Sequence, residues 1–180
     1  FCRRERVRTV PGAVPVARSE DVNMMGQSPV LLVIDDEPGV LGIVRHHAQR
    51  AGFSVVTCTT GANAVALVRE HRADAAIVDL RMPEVGGLDV LRNIRDASPG
   101  CQTILMTGYA SLGTAVESLR LGAHDYLIKP SSSQDIRQSV SRGVERARNL
   151  RRRRALLDAI RSNVFELTRA DVEALTAVYE

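Results

Sequence analysis

Five short runs of β-branched and aliphatic residues recur between residues 30 and 128, and longer segments with helical periodicity separate them. The runs predict strands at Val30–Ile34, Ser54–Cys58, Ala75–Val78, Thr103–Met106 and Asp125–Ile128. The intervening segments predict helices at about 38–51, 61–72, 88–97 and 112–121, and a longer helix that starts near Ser133. Strands that alternate with helices at this spacing form right-handed βαβ units, which place all strands in one parallel sheet. The sequence therefore predicts a three-layer α/β/α domain of five βα units.

Composition agrees with a sheet that is covered by helices on both faces. The chain is 44% hydrophobic but has only three Phe, three Tyr and no Trp, so its core must be aliphatic. No apolar run approaches the ~20 residues that span a bilayer, so no membrane association is expected. The three cysteines, Cys2, Cys58 and Cys101, are odd in number and far apart, which predicts buried, reduced thiols and a cytoplasmic protein.

Capping residues mark several predicted helix ends. Ser, Asp and Pro favour helix starts, and Gly favours helix stops. The predicted caps are Asp36 with Pro38 for the first helix, Ser111 and Gly122 for the fourth, and the capping box of Ser132 with Asp135 for the fifth.

Polar residues follow four of the predicted strands. Asp35-Asp36-Glu37 follows the first, Asp79 the third, Thr107 the fourth and Lys129-Pro130 the fifth. Ligands of open parallel sheets bind outside the carboxyl ends of the strands. Carboxylates gathered there repel one another unless a cation lies among them, and hard oxygen ligands suit Mg²⁺. Lys129 is the only lysine in the chain, which marks it as a dedicated compact charge at this edge.

Four segments resemble the signatures of bacterial response-regulator receiver domains. They are Val-Ile-Asp-Asp-Glu-Pro at 33–38, Val-Asp-Leu-Arg-Met-Pro-Glu-Val-Gly-Gly at 78–87, Met-Thr-Gly-Tyr-Ala at 106–110 and Gly-Ala-His-Asp-Tyr-Leu-Ile-Lys-Pro at 122–130. The resemblance implies a flavodoxin-like (βα)₅ doubly wound sheet of strand order 2-1-3-4-5 over residues 28–147. It further implies that a sensor histidine kinase transfers a phosphoryl group to Asp79.

The same resemblance assigns a metal site. Asp36 would bind Mg²⁺ directly and Asp35 through water. Asp79 and the backbone carbonyl of Arg81 would complete the protein ligands.

It also assigns residues that sense the phosphoryl group. Lys129 would pair with one phosphoryl oxygen, and Thr107 would hydrogen-bond another while Tyr126 turns inward. Pro130 would follow a cis peptide bond that aims Lys129. Arg81 and Tyr109 would flank the path of the hydrolytic water.

The two ends of the chain lie outside this resemblance. Residues 1–27 have no sustained periodicity and are expected to be disordered. Residues 148–180 predict an Arg-rich helical tail, in which Leu150, Leu157, Ile160, Val164 and Leu167 form a short a/d seam that suits a homodimer.

The last stretch of the tail predicts a new helix, capped by Thr168 with Asp171 in the capping-box position. It loosely resembles the opening helix of the helix-turn-helix domain of quorum-sensing-type regulators. On that interpretation the tail is a truncated output domain without a recognition helix, and the chain holds no complete DNA-binding domain. An unrelated tail is the alternative.

A phosphorylated signalling switch, rather than an enzyme with an external substrate, is the leading functional interpretation. The chain would catalyse only its own phosphoryl transfer and dephosphorylation. An Asp-based phosphatase is an alternative, but it needs a second Asp two residues after the nucleophile, where Arg81 stands. A receiver-like scaffold would be signalled by loss of Asp36, Asp79 or Lys129, and all three are present.

Overall fold

The computed structural model of the protein describes residues 28–178, with side chains described through residue 165. The prediction of disorder for residues 1–27 lies outside the described residues. Cys2 lies outside them as well.

Five strands and five α-helices alternate along the described chain. They are β1 (Val30–Ile34), α1 (Pro38–Arg50), β2 (Ser54–Cys58), α2 (Ala64–Glu70), β3 (Ala75–Asp79), α3 (Gly87–Ala97), β4 (Gln102–Thr107), α4 (Leu112–Arg120), β5 (Asp125–Ile128) and α5 (Ser133–Val178). A 3₁₀ turn at Gly61–Asn63 precedes α2, so the helix predicted at 61–72 is shorter than expected. The strands form one parallel sheet in the order β2-β1-β3-β4-β5, which confirms the predicted topology.

Side chains of the central strands alternate between two aliphatic cores. Leu31 and Val33 pack with α1 and α5 on one face, whereas Leu32 and Ile34 pack with α2 and α3 on the other. Every residue of β3 is buried. Continuous burial on both faces is what a parallel sheet between two helical layers requires.

Three of the predicted caps, at Ser111, Gly122 and Ser132, are confirmed, and the one at Asp36 is wrong. Ser111 caps α4 by accepting a hydrogen bond from Thr114 N, and Gly122 follows that helix with φ +90°. Asp36 does not cap α1, because the N-cap is Glu37, whose side chain makes no capping bond. Asp36 lies one residue too early, and its side chain is exposed. Pro38 does occupy the first turn as predicted.

The start of α5 keeps its predicted cap. Asp135 N donates to Ser132 Oγ over 3.1 Å, and the Ser132 hydroxyl donates to Asp135 Oδ2 over 2.7 Å. The Asp135 carboxylate therefore meets the Ser132 side chain at the cap.

The C-terminal helix continues without a break to Val178. Its first half buries Ile136, Val140, Val144 and Ala147 against the sheet, whereas residues 152–165 are all exposed. The predicted new start at Thr168 is therefore wrong, because the backbone is already helical there. No Gly or Pro follows Gly143 within the helix, and a Thr inside a helix costs only a fraction of a kcal/mol.

Arg151 holds α5 to the amino end of the sheet. Its guanidinium donates to Asp74 Oδ1 over 2.7 Å and to the backbone carbonyl of Ala73 over 3.1 Å. Asp74 is 5% exposed, and its second oxygen accepts from Val30 N over 2.9 Å. Asp74 thus connects β1, β3 and α5 at the edge opposite Asp79.

The two described cysteines are free thiols. Burial raises the pKa of Cys101 to about 12. Cys58 is only half-buried, which departs from the prediction of a buried thiol. Within residues 28–178, no helix is both long enough and apolar enough to cross a membrane.

Candidate functional site

The strand register brings the predicted polar residues to one edge of the sheet. Ile34 pairs with Val78, so Asp35 and Asp79 follow neighbouring positions of β1 and β3. Asp79 pairs with Met106, which places Thr107 one residue beyond it on β4. Lys129 N donates to Thr107 O over 2.8 Å, so the last strand brings the ammonium to the same edge.

Lys129 bridges the two buried carboxylates. Its Nζ lies 2.7 Å from Asp35 Oδ2 and 2.7 Å from Asp79 Oδ1, while Glu37 is more distant at 3.8 Å. Asp35 is fully buried and Asp79 is 4% exposed. The peptide bond between Lys129 and Pro130 is cis, as predicted.

Backbone amides bind the other carboxylate oxygens. Arg81 N donates to Asp79 Oδ2 over 2.6 Å, and Glu37 N donates to Asp35 Oδ1 over 3.0 Å. Each of the two carboxylates, Asp35 and Asp79, therefore accepts a hydrogen bond from one backbone N–H and pairs with the Lys129 ammonium. Lys129 Nζ is the contact made by Asp79 Oδ1.

Burial and pairing shift the pKa values of this cluster in a consistent way. Burial raises the pKa of Asp35 above its ordinary value of 3.8, even though the bonds from Lys129 and Glu37 N oppose the shift. Burial alone would lower the pKa of Lys129, but the hydrogen bonds to Asp35 and Asp79 outweigh it, and the net pKa is raised. The environment thus favours the charged form of Lys129 but disfavours the charged form of Asp35.

Thr107 and Tyr126 lie on adjacent strands beside this cluster. Thr107 is 1% exposed, and its hydroxyl oxygen accepts from Tyr109 N over 3.1 Å. Tyr126 is half-buried, and its hydroxyl lies 2.9 Å from Thr114 Oγ1 on α4. The contact to Thr114 was not predicted from the sequence.

Arg81 and Tyr109 meet above the site. The guanidinium carbon of Arg81 lies 4.2 Å from the centroid of the Tyr109 ring, a cation–π contact between the loops after β3 and β4. Both side chains are exposed. Because Arg81 N also binds Asp79, the stack is anchored directly beside the buried carboxylate.

A glycine lets α3 start close to Asp79. A Cβ on Gly87 would lie 2.2 Å from Asp79 O and 2.8 Å from Leu80 Cα, so no other residue fits without moving the backbone. In the sequence, the Gly-Gly pair at 86–87 is part of the motif that follows Asp79. The physical signal it carries is this close approach.

The predicted metal ligands are only partly assembled. Asp35 and Asp79 are adjacent, but Asp36 is exposed and makes no hydrogen bond or ion pair within the described residues. Across residues 28–178, no group of three or more His, Cys, Asp or Glu side chains is arranged to hold a metal ion. The donor chemistry nevertheless fits Mg²⁺, since the edge offers carboxylate oxygens and its one ammonium does not balance their charge.

The residues of this site lie within the part of the chain that matches known proteins. Residues 31–141 match the family model described as the response regulator receiver domain. The alginate biosynthesis transcriptional regulatory protein AlgB of Pseudomonas aeruginosa is 34% identical over 131 residues, which cover 73% of this chain and 29% of AlgB. The acid tolerance regulatory protein ActR of Sinorhizobium medicae is 33% identical over 122 residues, covering 68% of this chain and 63% of ActR. The chain thus spans less than two thirds of the length of these relatives.

Solved structures agree in fold. A response regulator receiver domain protein of Clostridium thermocellum superposes with a TM-score of 0.64 at 30% identity, covering 68% of this chain and 98% of that one. The BeF₃-activated DrrB receiver domain gives a TM-score of 0.60 at 26% identity, covering 66% of this chain and 99% of that one.

Proposed function

The chain belongs to the response regulator receiver family, and from this premise we propose that Asp79 accepts a phosphoryl group from a sensor histidine kinase with the help of Mg²⁺. The observation that carries the proposal is the pairing of a buried Asp79 with the chain's only lysine at the carboxyl edge of the sheet. Phosphorylation then switches the face that includes Thr107 and Tyr126.

The arrangement suits nucleophilic attack by Asp79 Oδ1. This oxygen would form the new P–O bond while the P–N bond of a phosphohistidine breaks and its electrons return to the imidazole. Arg81 N holds Oδ2 and so fixes the rotation of the carboxylate. Lys129 is placed to follow the charge from the carboxylate to a phosphoryl oxygen.

Asp35, Asp36, Asp79 and the backbone carbonyl of Arg81 are the groups proposed to hold Mg²⁺. When bound, the metal neutralises charge that develops on the transferred phosphoryl group. The exposed position of Asp36 leaves its carboxylate accessible for this role, and Asp35 supplies a buried second acid.

Thr107 and Tyr126 are proposed to read the phosphoryl group. The Thr107 hydroxyl uses a lone pair to hold Tyr109 N, so its own hydrogen remains available for a phosphoryl oxygen. A shift of Thr107 would alter the loop that follows β4 and the space beside Tyr126. That change would bias a two-state equilibrium of the α4–β5 face.

The two alternatives receive less support. A phosphatase of the Asp-nucleophile type needs an acid/base two residues after Asp79, and Arg81 is stacked on Tyr109 there. A scaffold without phosphorylation gives no reason to keep Asp35 and Asp79 buried, since two buried carboxylates are costly to maintain even with Lys129 between them.

We propose that the chain forms a homodimer through the exposed part of α5. The exposed part of α5 carries Leu150, Leu157, Ile160 and Val164, which are between 42% and 56% exposed.

The metal requirement tests the proposal. Incubation with acetyl phosphate and Mg²⁺ should add one phosphoryl mass to the intact chain, and a chelator should abolish the gain. Asp36→Ala should bind Mg²⁺ much more weakly by titration and be phosphorylated correspondingly more slowly. Phosphorylation that proceeds equally well in chelator, or an unchanged Mg²⁺ affinity of Asp36→Ala, would rule out this metal site.

A further inference from the structure

The hydroxyl of Thr114 joins Tyr126 to the amino end of α4. Thr114 Oγ1 lies 2.9 Å from the Tyr126 hydroxyl. The same oxygen accepts from Ser111 N over 3.2 Å and donates to Ser111 O over 3.0 Å. Thr114 is therefore both a member of the α4 capping box and a partner of Tyr126.

Hydrogen-bond capacity fixes the direction of the contact with Tyr126. A threonine hydroxyl has one hydrogen and accepts two hydrogen bonds. The hydrogen of Thr114 points to Ser111 O, which can only accept, and one lone pair takes Ser111 N. Ser111 Oγ also lies 3.0 Å from Thr114 Oγ1. Because the single hydrogen of Thr114 is given to Ser111 O, Tyr126 is the donor in its contact with Thr114 and shares the second lone pair with the Ser111 hydroxyl.

The helix at the end of this network has few other restraints. Ser118 is the only buried residue of α4, and Leu112 and Leu119 are 83% and 61% exposed. Gly113 in its first turn lowers helix stability relative to alanine. The capping box is therefore a large share of what holds the first turn of α4 in place.

The network is also continuous with the predicted phosphate sensor. Thr107 Oγ1 holds Tyr109 N, and two residues later Ser111 begins the cap of α4. Leu105 pairs with Tyr126 across β4 and β5, so the tyrosine is positioned by the strand that ends in Thr107. A rearrangement at Thr107 thus reaches Tyr126 both through the loop and through the sheet.

We propose that Thr114 is a positioning residue of the switch, whose hydroxyl holds Tyr126 in its resting position and couples that position to the cap of α4. The inference rests on the proposed function, because it needs Tyr126 to move when Asp79 is modified. Its specific content is that the resting state contains a Tyr126–Thr114 hydrogen bond which the switched state gives up. Removing the bond therefore favours the switched state.

Beryllofluoride titration in the presence of Mg²⁺ tests the coupling. Four full-length chains are compared by amide spectra: wild type, Thr114→Val, Tyr126→Phe and the double variant. Thr114→Val should lower the beryllofluoride midpoint by about 2- to 10-fold, the range expected for loss of one neutral hydrogen bond. In the Tyr126→Phe background the same substitution should have little effect, because the bond is already absent.

Two matched variants separate the Tyr126 contact from helix capping. Thr114→Ser keeps the hydroxyl and should restore the wild-type midpoint. Ser111→Ala removes the cap acceptor but leaves the Thr114 hydroxyl for Tyr126, and should shift the midpoint less than Thr114→Val does. A fluorine spectrum of 3-fluorotyrosine-labelled chain should show the Tyr126 resonance displaced toward its beryllofluoride-bound position in Thr114→Val alone.

The outcomes are distinguishable from failure of the proposed function. If beryllofluoride does not perturb the amides around Asp79 in the wild type, the proposed function fails and this inference falls with it. If beryllofluoride binds but Thr114→Val shifts the midpoint equally with Tyr or Phe at position 126, only the inference is overturned. A wild-type midpoint in Thr114→Val also overturns it.

Discussion

At the scale of single residues, the central feature of the site is one ammonium that pairs with two buried carboxylates. Lys129 contacts Asp35 and Asp79 at equal distances of 2.7 Å. Asp35 is fully buried, and burial raises its pKa. An acid whose folded pKa is raised weakens the fold once it ionises, because the unfolded chain releases its proton first.

Asp35→Asn should therefore stabilise the metal-free chain in a pH-dependent way. Wild-type stability falls as pH rises from 3.8, the ordinary pKa of Asp, through the raised pKa of folded Asp35, and the variant lacks this contribution. The stability advantage of the variant should grow across that window and then level off. Urea unfolding at a series of pH values measures it.

The matched control for this prediction is Asp36→Asn. Its side chain is exposed, so the substitution should change stability by less than about 0.5 kcal/mol. An advantage of Asp35→Asn that stays constant or shrinks with rising pH would contradict the assignment of burial as the dominant cause.

The stack of Arg81 on Tyr109 should prolong the phosphorylated state. Hydrolytic water must approach in line with the bond from phosphorus to Asp79, and neither side chain is a carboxylate or amide that could orient it. Two bulky groups in contact over the site should hinder that approach. Phosphorylated chain freed of donor should lose its phosphoryl group more slowly than an Arg81→Asn, Tyr109→Glu double variant. Equal or slower loss from the double variant would refute this role of the stack.

At the scale of elements, the helix that leaves the domain is fixed by a contact far away in sequence. Arg151 binds Asp74 and the carbonyl of Ala73, at the start of the strand that ends in Asp79. The other arginines of the run 151–154 are exposed. One arginine of the run is thus structural, although all four look alike in the sequence.

Arg151→Ala should destabilise the fold by about 1–3 kcal/mol. Breaking a buried ion pair costs several kcal/mol, but the Arg151 side chain is 30% exposed and Asp74 keeps its bond from Val30 N, which reduces the loss. Arg152→Ala is the control and should change stability by less than about 0.5 kcal/mol. Urea unfolding compares the two. Equal effects of the two substitutions would show that the contact does not hold α5.

The strands could be predicted from the sequence because buried parallel strands read as short apolar runs bounded by polar residues. The meeting of Asp35, Asp79, Thr107 and Lys129 could be predicted because the carboxyl ends of parallel strands lie at one edge of the sheet, and the register agrees with it. Contacts between separate elements could not be predicted in this way. Arg151–Asp74, Thr114–Tyr126 and Arg81–Tyr109 depend on packing that no local pattern encodes.

Helix ends were predicted less well than strands. Thr168 has the composition of a cap, yet the helix continues through it because nothing before it breaks the backbone ladder. Asp36 has the same cap chemistry but lies one residue before the N-cap. A favourable residue type is therefore not sufficient, because Thr168 lacks the non-helical backbone that a cap needs and Asp36 lies outside the N-cap position.

At the scale of the whole molecule, a compact receiver carries a long helix, and the side chains of residues 152–165 of this helix are exposed. The side chains of Leu157, Ile160 and Val164 are each at least half exposed there. Their spacing forms the short a/d seam predicted from the sequence, so a second copy of the chain is the cover that we propose for it. The proposed self-association would therefore involve α5 rather than the sheet.

Replacing an apolar residue of this stripe should prevent dimer formation. Leu157→Glu should give a monomer by sedimentation at concentrations where the wild type, with beryllofluoride and Mg²⁺, is a dimer. Arg152→Glu lowers the net charge by one unit more than Leu157→Glu does but leaves the apolar stripe intact, so it should still dimerise. A wild type that stays monomeric under all these conditions would contradict the proposed assembly.

Identification of the phosphorylated residue tests the central claim most directly. Wild type, Asp79→Asn and the control Asp96→Asn are incubated with acetyl phosphate and Mg²⁺, and intact masses are measured. Wild type and Asp96→Asn should each gain one phosphoryl group, and Asp79→Asn should gain none, because Asp79 supplies the only carboxylate at the end of β3. A full phosphoryl gain on Asp79→Asn would show that Asp79 is not the acceptor.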